Sequence, residues 1–196
     1  MIINGLFIFE IYITWIAMKI AGTSVYKKFA DSLGLRGEEQ VLDFGCGHGT
    51  VARYTAPQIP GGRLVCADIS RQRLKQCQKN LRNHKNVECM DLGSNDNPFQ
   101  DETFDIIYCH FVLHEIEDTE LKGTLQRMYR WLKNQGKLVF REPAKDNVRL
   151  RDIDSILQAI GFVRDSTKIT DIPIMGNAIE GRYTKKESSY GVFRKG

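Results

Sequence analysis

Residues 41–50 read "VLDFGCGHGT", with Asp43 two positions ahead of the first of three alternating glycines, Gly45, Gly47 and Gly49. Val41, Leu42 and Phe44 form a short apolar run of strand type. After Gly49, "TVARYTAPQ" carries Val51, Ala52 and Thr55 at helical spacing, with Pro57 as a stop. The glycines therefore lie on a strand-to-helix turn. Such a turn presents backbone N–H groups at a helix N-terminus, and glycine lets a ligand come close to the chain. A dinucleotide pyrophosphate would call for G-x-G-x-x-G. Here Thr50 stands where the last glycine is needed, and the Asp43 carboxylate would repel a phosphate. It suits a ligand with positive charge, such as an ammonium or a sulfonium.

Two more carboxylates extend the pattern. A second strand, "GGRLVCADIS", ends at Asp68, and a third, "NVECMDLGS", ends at Asp91. Asp68 falls about where a ribose-binding acid sits in a βαβ unit, and can accept from both ribose hydroxyls. Asp91, one strand further along, is placed to reach an adenine amino group. Taken singly, each is a solvated loop acid. Together, at consecutive strand ends, they describe a site for a nucleoside with a cationic tail.

The elements that must hold these acids alternate along the chain. "SVYKKFADSLG" reads as a helix with Val25, Phe29 and Leu33 on one side and Gly34 at its end. The turn helix follows strand one, and the polar helix "SRQRLKQCQKNLRN", capped by Ser70, follows strand two. "TFDIIYCHF" is strand four, a continuous apolar run of buried parallel type. "TELKGTLQRMYRWLK" is a helix with Leu121, Leu125, Met128 and Leu132 inward, "NQGKLVFRE" a turn and strand five, "RDIDSILQAIG" a helix, and "FVRDSTKI" strand six. The last strand is either "AIEGRYTKK" or "SYGVFRK". The second is preferred, which leaves residues 171–188 as an insertion beside the sheet edge. This order predicts an α/β fold: a Rossmann-like, doubly wound, mostly parallel seven-stranded sheet with helices on both faces. Ligands of such sheets bind at the carboxyl ends of the strands, near the switch point.

At 196 residues the chain fits one domain, residues 24–196, behind an apolar N-terminal segment, 1–23. Its net charge of +4 is spread over well-mixed acids and bases, so no nucleic-acid partner is expected. The five cysteines at 46, 66, 77, 89 and 109 are odd in number and form no C-x-x-C. They point to a reducing compartment and small buried side chains, and no metal site is expected. His110 and His114 are four apart but lack an evident third ligand. "MIINGLFIFEIYITWIAMKIAG" lacks the basic start and cleavage site of a signal peptide, and Glu10 interrupts a run too short for a membrane span. As a helix it would carry a narrow stripe of Glu10, Thr14, Ala17 and Ala21 in an otherwise Ile, Phe, Tyr, Trp and Met surface. Three settings fit it: cover for the protein's own core, a partner or homodimer contact, or a membrane interface. The expected location is the cytoplasm, with peripheral membrane association left open by that segment.

The ordered set "VLDFGCGHGT", the acid in "VCADIS", "ECMDLGSNDNPFQDETFDII", "FVLHEIED" and "LKNQGKLVFRE" resembles the class I S-adenosylmethionine-dependent methyltransferases of the small-molecule type, from about Val25 to the last strand. Asn134 and Gln135 replace the Pro and first Gly of the family's turn before strand five. The resemblance implies S-adenosyl-L-methionine as cofactor and S-adenosyl-L-homocysteine as product. The cofactor contacts it implies are Tyr26, Asp43, Gly45, Cys46, Gly47, Gly49, Asp68, Ile69, Asp91, Leu92 and His110. Asp43 would orient the turn and the methionine ammonium, Asp68 the ribose, and Asp91 with the Leu92 backbone the adenine. Tyr26 would close over the cofactor and His110 would lie beside its methionine part.

In-line displacement from a sulfonium rests largely on positioning, and a base is needed only if the nucleophile must lose a proton. The candidates are His110, His114 and Glu115, although "LHE" departs from the family's frequent "LHH". His114 has the alternative of capping the loop from beneath, and Glu142 that of facing the acceptor. Strand four lacks the Asn/Asp-Pro-Pro-aromatic ending of enzymes that methylate base amino groups or glutamine amides, which disfavours DNA and glutamine. The N-terminal helix and the 171–188 insertion, with "IPIMG", would roof a pocket for a small lipophilic or membrane-resident acceptor. A non-catalytic nucleoside-binding scaffold and a nicotinamide oxidoreductase are the competing readings. Asp43 and Thr50 speak against the second.

Overall fold

Short apolar runs alternating with amphipathic ones build a seven-stranded sheet in the computed structural model, which describes residues 24–94, 98–145, 147–172 and 176–186. The N-terminal segment, residues 1–23, lies outside these. The strands are β1 Gln40–Phe44, β2 Arg63–Asp68, β3 Val87–Asp91, β4 Phe104–His110, β5 Leu132–Pro143, β6 Phe162–Ile172 and β7 Gly176–Lys185. Their spatial order is β3-β2-β1-β4-β5-β7-β6, with β1 to β5 parallel and β7 antiparallel to both β5 and β6. The helices are α1 at 24–32, α2 Ala52–Thr55, α3 Arg71–Leu81, α4 Asp118–Trp131 and α5 Asn147–Ile160. Ser70 caps α3 as expected, its hydroxyl accepting from the Arg73 N–H at 3.3 Å.

Successive strand residues point to opposite faces, so each strand feeds two cores. Val41, Leu64, Ile106 and Val139 pack with Phe29 of α1 and Leu33 just after it, Ala52 of α2, and Leu74 and Leu81 of α3. Leu42, Val65, Ile107 and Leu138 pack with Leu121, Leu125 and Met128 of α4 and with Ile153 and Leu157 of α5. This double winding reverses direction at β1, which has β2 on one side and β4 on the other. The switch point and the glycine turn therefore coincide.

The far edge departs from the expectation. The last described strand is the "AIEGRYTKK" alternative, and β6 runs on past Ile169 to Ile172, so most of 171–188 is edge sheet and not an insertion. "SYGVFRK" and Pro173–Met175 of "IPIMG" lie outside the described residues. The reason is electrostatic. The strand carries Glu180 and Arg182 in place of an apolar run. In the fold Glu180 is buried and accepts from Arg141 and Arg182, each at 3.0 Å, while Gly181 packs directly under the Phe140 ring. The charges neutralise one another, so the strand is half-buried without an apolar signature.

Candidate active site

A cavity of about 770 Å³ opens at the carboxyl ends of β1, β2 and β4. The predicted residues Tyr26, Asp43, Gly45, Cys46, Gly47, Asp68, Ile69, Leu92, His110 and Glu115 lie on its wall. Gly49, Asp91 and His114 do not.

The turn is shaped by backbone need. Gly45 and Cys46 both donate their N–H to the Ala67 carbonyl, at 2.8 and 3.0 Å, which ties the turn to the end of β2. Gly45 has φ +75°, and a Cβ there would sit 2.5 Å from a Val112 methyl. Gly49, at φ +77°, faces Cys77 and Leu81 of α3 instead of the cavity, so its role is close packing. We expect Gly45→Ala to cost at least about 2 kcal/mol in urea unfolding, combining the left-handed penalty with the clash. Adding Val112→Ala should return the steric part and leave about 1 kcal/mol. Failure of the second substitution to recover anything would show that Val112 is not what confines the turn.

Asp68 is the organising acid. It is buried, its Oδ2 accepts from the Gly47 N–H at 2.9 Å and its Oδ1 from the Ser70 N–H at 2.8 Å. Each oxygen keeps a further lone pair. The expectation that Asp43 orients the turn is therefore corrected: no turn amide donates to it, and Asp68 and Ala67 hold the loop. Asp43 is almost fully buried, with Oδ2 lacking any hydrogen-bond partner. Burial pushes its carboxyl well above the ordinary value. The Tyr108 hydroxyl works the other way, although the two make no well-aligned hydrogen bond. A cation reaching Asp43 would supply the missing partner.

Asp91 is turned elsewhere. Arg71 donates to its Oδ2 at 2.7 Å and the Gly93 N–H to its Oδ1 at 2.9 Å. The Arg71 hydrogen bond holds its carboxyl below the ordinary value. Beyond β2 the cavity wall is supplied instead by Ile69, 76% exposed, and Leu92.

His110 ends β4 inside an aromatic cluster, its ring 5.2 Å from Tyr26, 4.9 Å from Phe29 and 4.6 Å from Phe111. Burial, then the Arg141 charge, bring it down to about 3, so the imidazole is neutral, with Nε2 unpartnered. His114 lies against Glu142, Nδ1 to Oε2 at 2.5 Å. The same buried carboxylate accepts from the N–H groups of Val112, at 3.0 Å, Leu113, at 2.8 Å, and His114, at 3.4 Å. Glu142 therefore does not face an acceptor. It clamps the 112–114 turn, and His114 belongs to that clamp, the capping alternative raised above.

The wall also holds a stripe that the sequence reading missed. Glu117, at the N-cap of α4, and Glu120, Thr124, Arg127 and Trp131 within it recur at three- and four-residue intervals and face the cavity. The signal was there as a helical face beside the Leu121, Leu125, Met128 core stripe. Among the described residues, no helix is long and apolar enough to cross a membrane.

Residues 41–136 match the family model described as "Methyltransferase domain". The chain is 36% identical over 126 residues to the ubiquinone/menaquinone biosynthesis C-methyltransferase UbiE of Enterobacter sp. (strain 638), covering 62% of this chain and 49% of that one. It thus spans about half the length of that curated relative. Its fold superposes on a SAM-dependent methyltransferase from Aquifex aeolicus with TM-score 0.69 at 20% identity, over 81% of this chain and 88% of that one. The N-methyltransferase NodS from Bradyrhizobium japonicum WM9, in complex with S-adenosyl-L-homocysteine, gives 0.67 at 18% identity, over 84% and 86%. Residues 41–136 thus match a methyltransferase domain, and the fold that carries them is the one shared by S-adenosylmethionine-dependent methyltransferases.

Proposed function

We propose that the chain is an S-adenosylmethionine-dependent methyltransferase acting on a small, lipophilic, ring-bearing acceptor. The observation that carries the reading is the convergence of Asp43, Asp68 and the glycine turn on one cavity at the switch point. The residues fit that cofactor: Asp43 has an orphaned buried oxygen, the space over Gly47 is open, and Asp68 keeps free lone pairs toward the cavity. Asp43 would take the ammonium, Asp68 the ribose, and Ile69 with Leu92 the adenine. When bound, the cofactor supplies a methyl group on a sulfonium.

The rest is done by the chain. Tyr26 and Phe111 flank His110 and keep water from the methionine end. The Glu142 clamp sets the 112–114 turn, which presents Val112 to the reacting side and is followed by Glu115 and Ile116 on the same wall. A neutral His110 can take a hydrogen bond but is a poor proton acceptor, so Glu115 is the better base among the three candidates. The acceptor wall combines Val112, Ile116 and Trp131 with Glu120, Thr124 and Arg127, a mixed lining suited to a ring with polar substituents. The UbiE likeness supports a quinone-type ring. A peripheral membrane or homodimer contact through residues 1–23 remains part of the proposal.

Two measurements test it. Calorimetric titration with S-adenosylmethionine and S-adenosylhomocysteine should show binding of both; binding of neither would reopen the oxidoreductase and scaffold readings. Methyl transfer to quinone-precursor rings and lipid extracts, with and without residues 1–20, then tests the acceptor. Equal activity and equal membrane partition after that deletion would remove the membrane part.

A further inference from the structure

Three thiols meet behind the cofactor turn. Cys46 comes from the turn, Cys66 from β2 and Cys77 from α3, and their sulfur atoms all lie within 4.8 Å of one another. All three are buried, Cys66 and Cys77 completely, and all are free thiols. They come from three separate parts of the chain with no C-x-x-C, so their spacing carries no metal signature.

We propose that Cys46, Cys66 and Cys77 form a site for one soft, thiophilic divalent ion of the zinc and cadmium class. A zinc–thiolate bond of about 2.3 Å places neighbouring sulfurs on the order of 4 Å apart. The side chains therefore need to draw in by less than about 1 Å. Thiolates do not select hard cations such as magnesium or calcium. Three thiolates with a divalent ion leave one negative charge, whereas a monovalent ion leaves two, and buried charge is costly. Three S–H bonds break, three metal–sulfur bonds form, and three protons leave to solvent, with nothing oxidised or reduced. The ion would tie the turn, β2 and α3 together and stabilise the fold by mass action. Cys46 also lies on the cavity wall, so the site sits directly behind the cofactor turn.

The test uses the reduced full chain and cadmium chloride alone. The expected result is one ion per chain, an ultraviolet sulfur-to-cadmium charge-transfer band, and release of about three protons per ion at about pH 6, read by calorimetry in buffers of different ionisation enthalpy. Cys46→Ala should abolish the band. Cys109→Ala should keep it, because Cys109 lies in the core on the opposite face of the sheet. Circular dichroism checks that both variants fold, and the proton count on the unaltered chain stands if Cys46→Ala does not. No band, binding well below one ion per chain, or release of only one proton overturns the assignment. So does an undiminished band in a folded Cys46→Ala.

Discussion

Replacing Asp68 by alanine is expected to weaken S-adenosylhomocysteine binding at least about 100-fold, the loss of two charge-assisted hydrogen bonds at about 1.5 kcal/mol or more each. The residue has two jobs that the substitution removes together. Its free lone pairs face the cavity where a ribose would lie, and its bound ones hold the Gly47 and Ser70 N–H groups. Asp68→Asn separates them. An amide keeps one carbonyl oxygen, so one of the two backbone anchors survives while the second meets an NH2 group. The asparagine variant should therefore stay folded and still bind at least about tenfold more weakly. Calorimetry on wild type and both variants, with thermal melts beside each, reads the two effects apart. Binding within threefold of wild type for Asp68→Ala would place the ribose elsewhere.

The asymmetry between Asp68 and Asp91 shows where reading a sequence works. Both end a parallel strand, they are register partners across β2 and β3, and both were read as ligand acids. Strand ends follow from apolar runs closed by an acid, so the sheet, its switch point and the positions of all three acids were legible. What a side chain does next depends on residues the pattern does not connect. Arg71, at the start of α3, captures Asp91, while backbone amides capture Asp68 and leave it facing the cavity. Glu142 is the same lesson: its place near the end of β5 was readable, but not the three N–H groups of the 112–114 turn that close on it. The α4 stripe differs, since Glu117, Glu120, Thr124, Arg127 and Trp131 keep helical spacing. There the signal lay beside the core stripe, and only the core stripe was read. The β7 strand was hidden because its charges are spent on each other. That concealment also makes it sensitive to substitution.

Glu180→Ala is expected to lower stability by about 3–5 kcal/mol, the usual cost of breaking a buried ion pair from one side. For a chain of this size that is a fall in Tm of roughly 10 °C. Glu180 accepts from Arg141 and Arg182 at 3.0 Å, from Lys168 at 3.1 Å and from the Ser32 hydroxyl at 3.3 Å. Removing it strands the Arg141 guanidinium, only 2% exposed, whose other bond goes to the Val25 carbonyl and whose face covers the Phe29 ring at 4.6 Å. Arg141 thus pins α1, and α1 carries Tyr26 to the cavity, so cofactor affinity should fall with stability. The double variant Arg141→Leu with Glu180→Leu removes both charges and should recover most of the loss. A double variant as unstable as the single one would mean that packing, not pairing, is at issue. The pH dependence has a definite sign. Burial alone would raise the Glu180 carboxyl, but Lys168, Arg141 and Arg182 outweigh it and hold it below the ordinary 4.5. A depressed acid contributes fully above its unfolded value and loses that contribution as pH falls through the folded one. The gap in Tm between wild type and Glu180→Ala should therefore be constant near neutrality and narrow below pH 4.5. A gap that widened in acid would show that Glu180 is held protonated, and the network would have to be redrawn around a neutral acid.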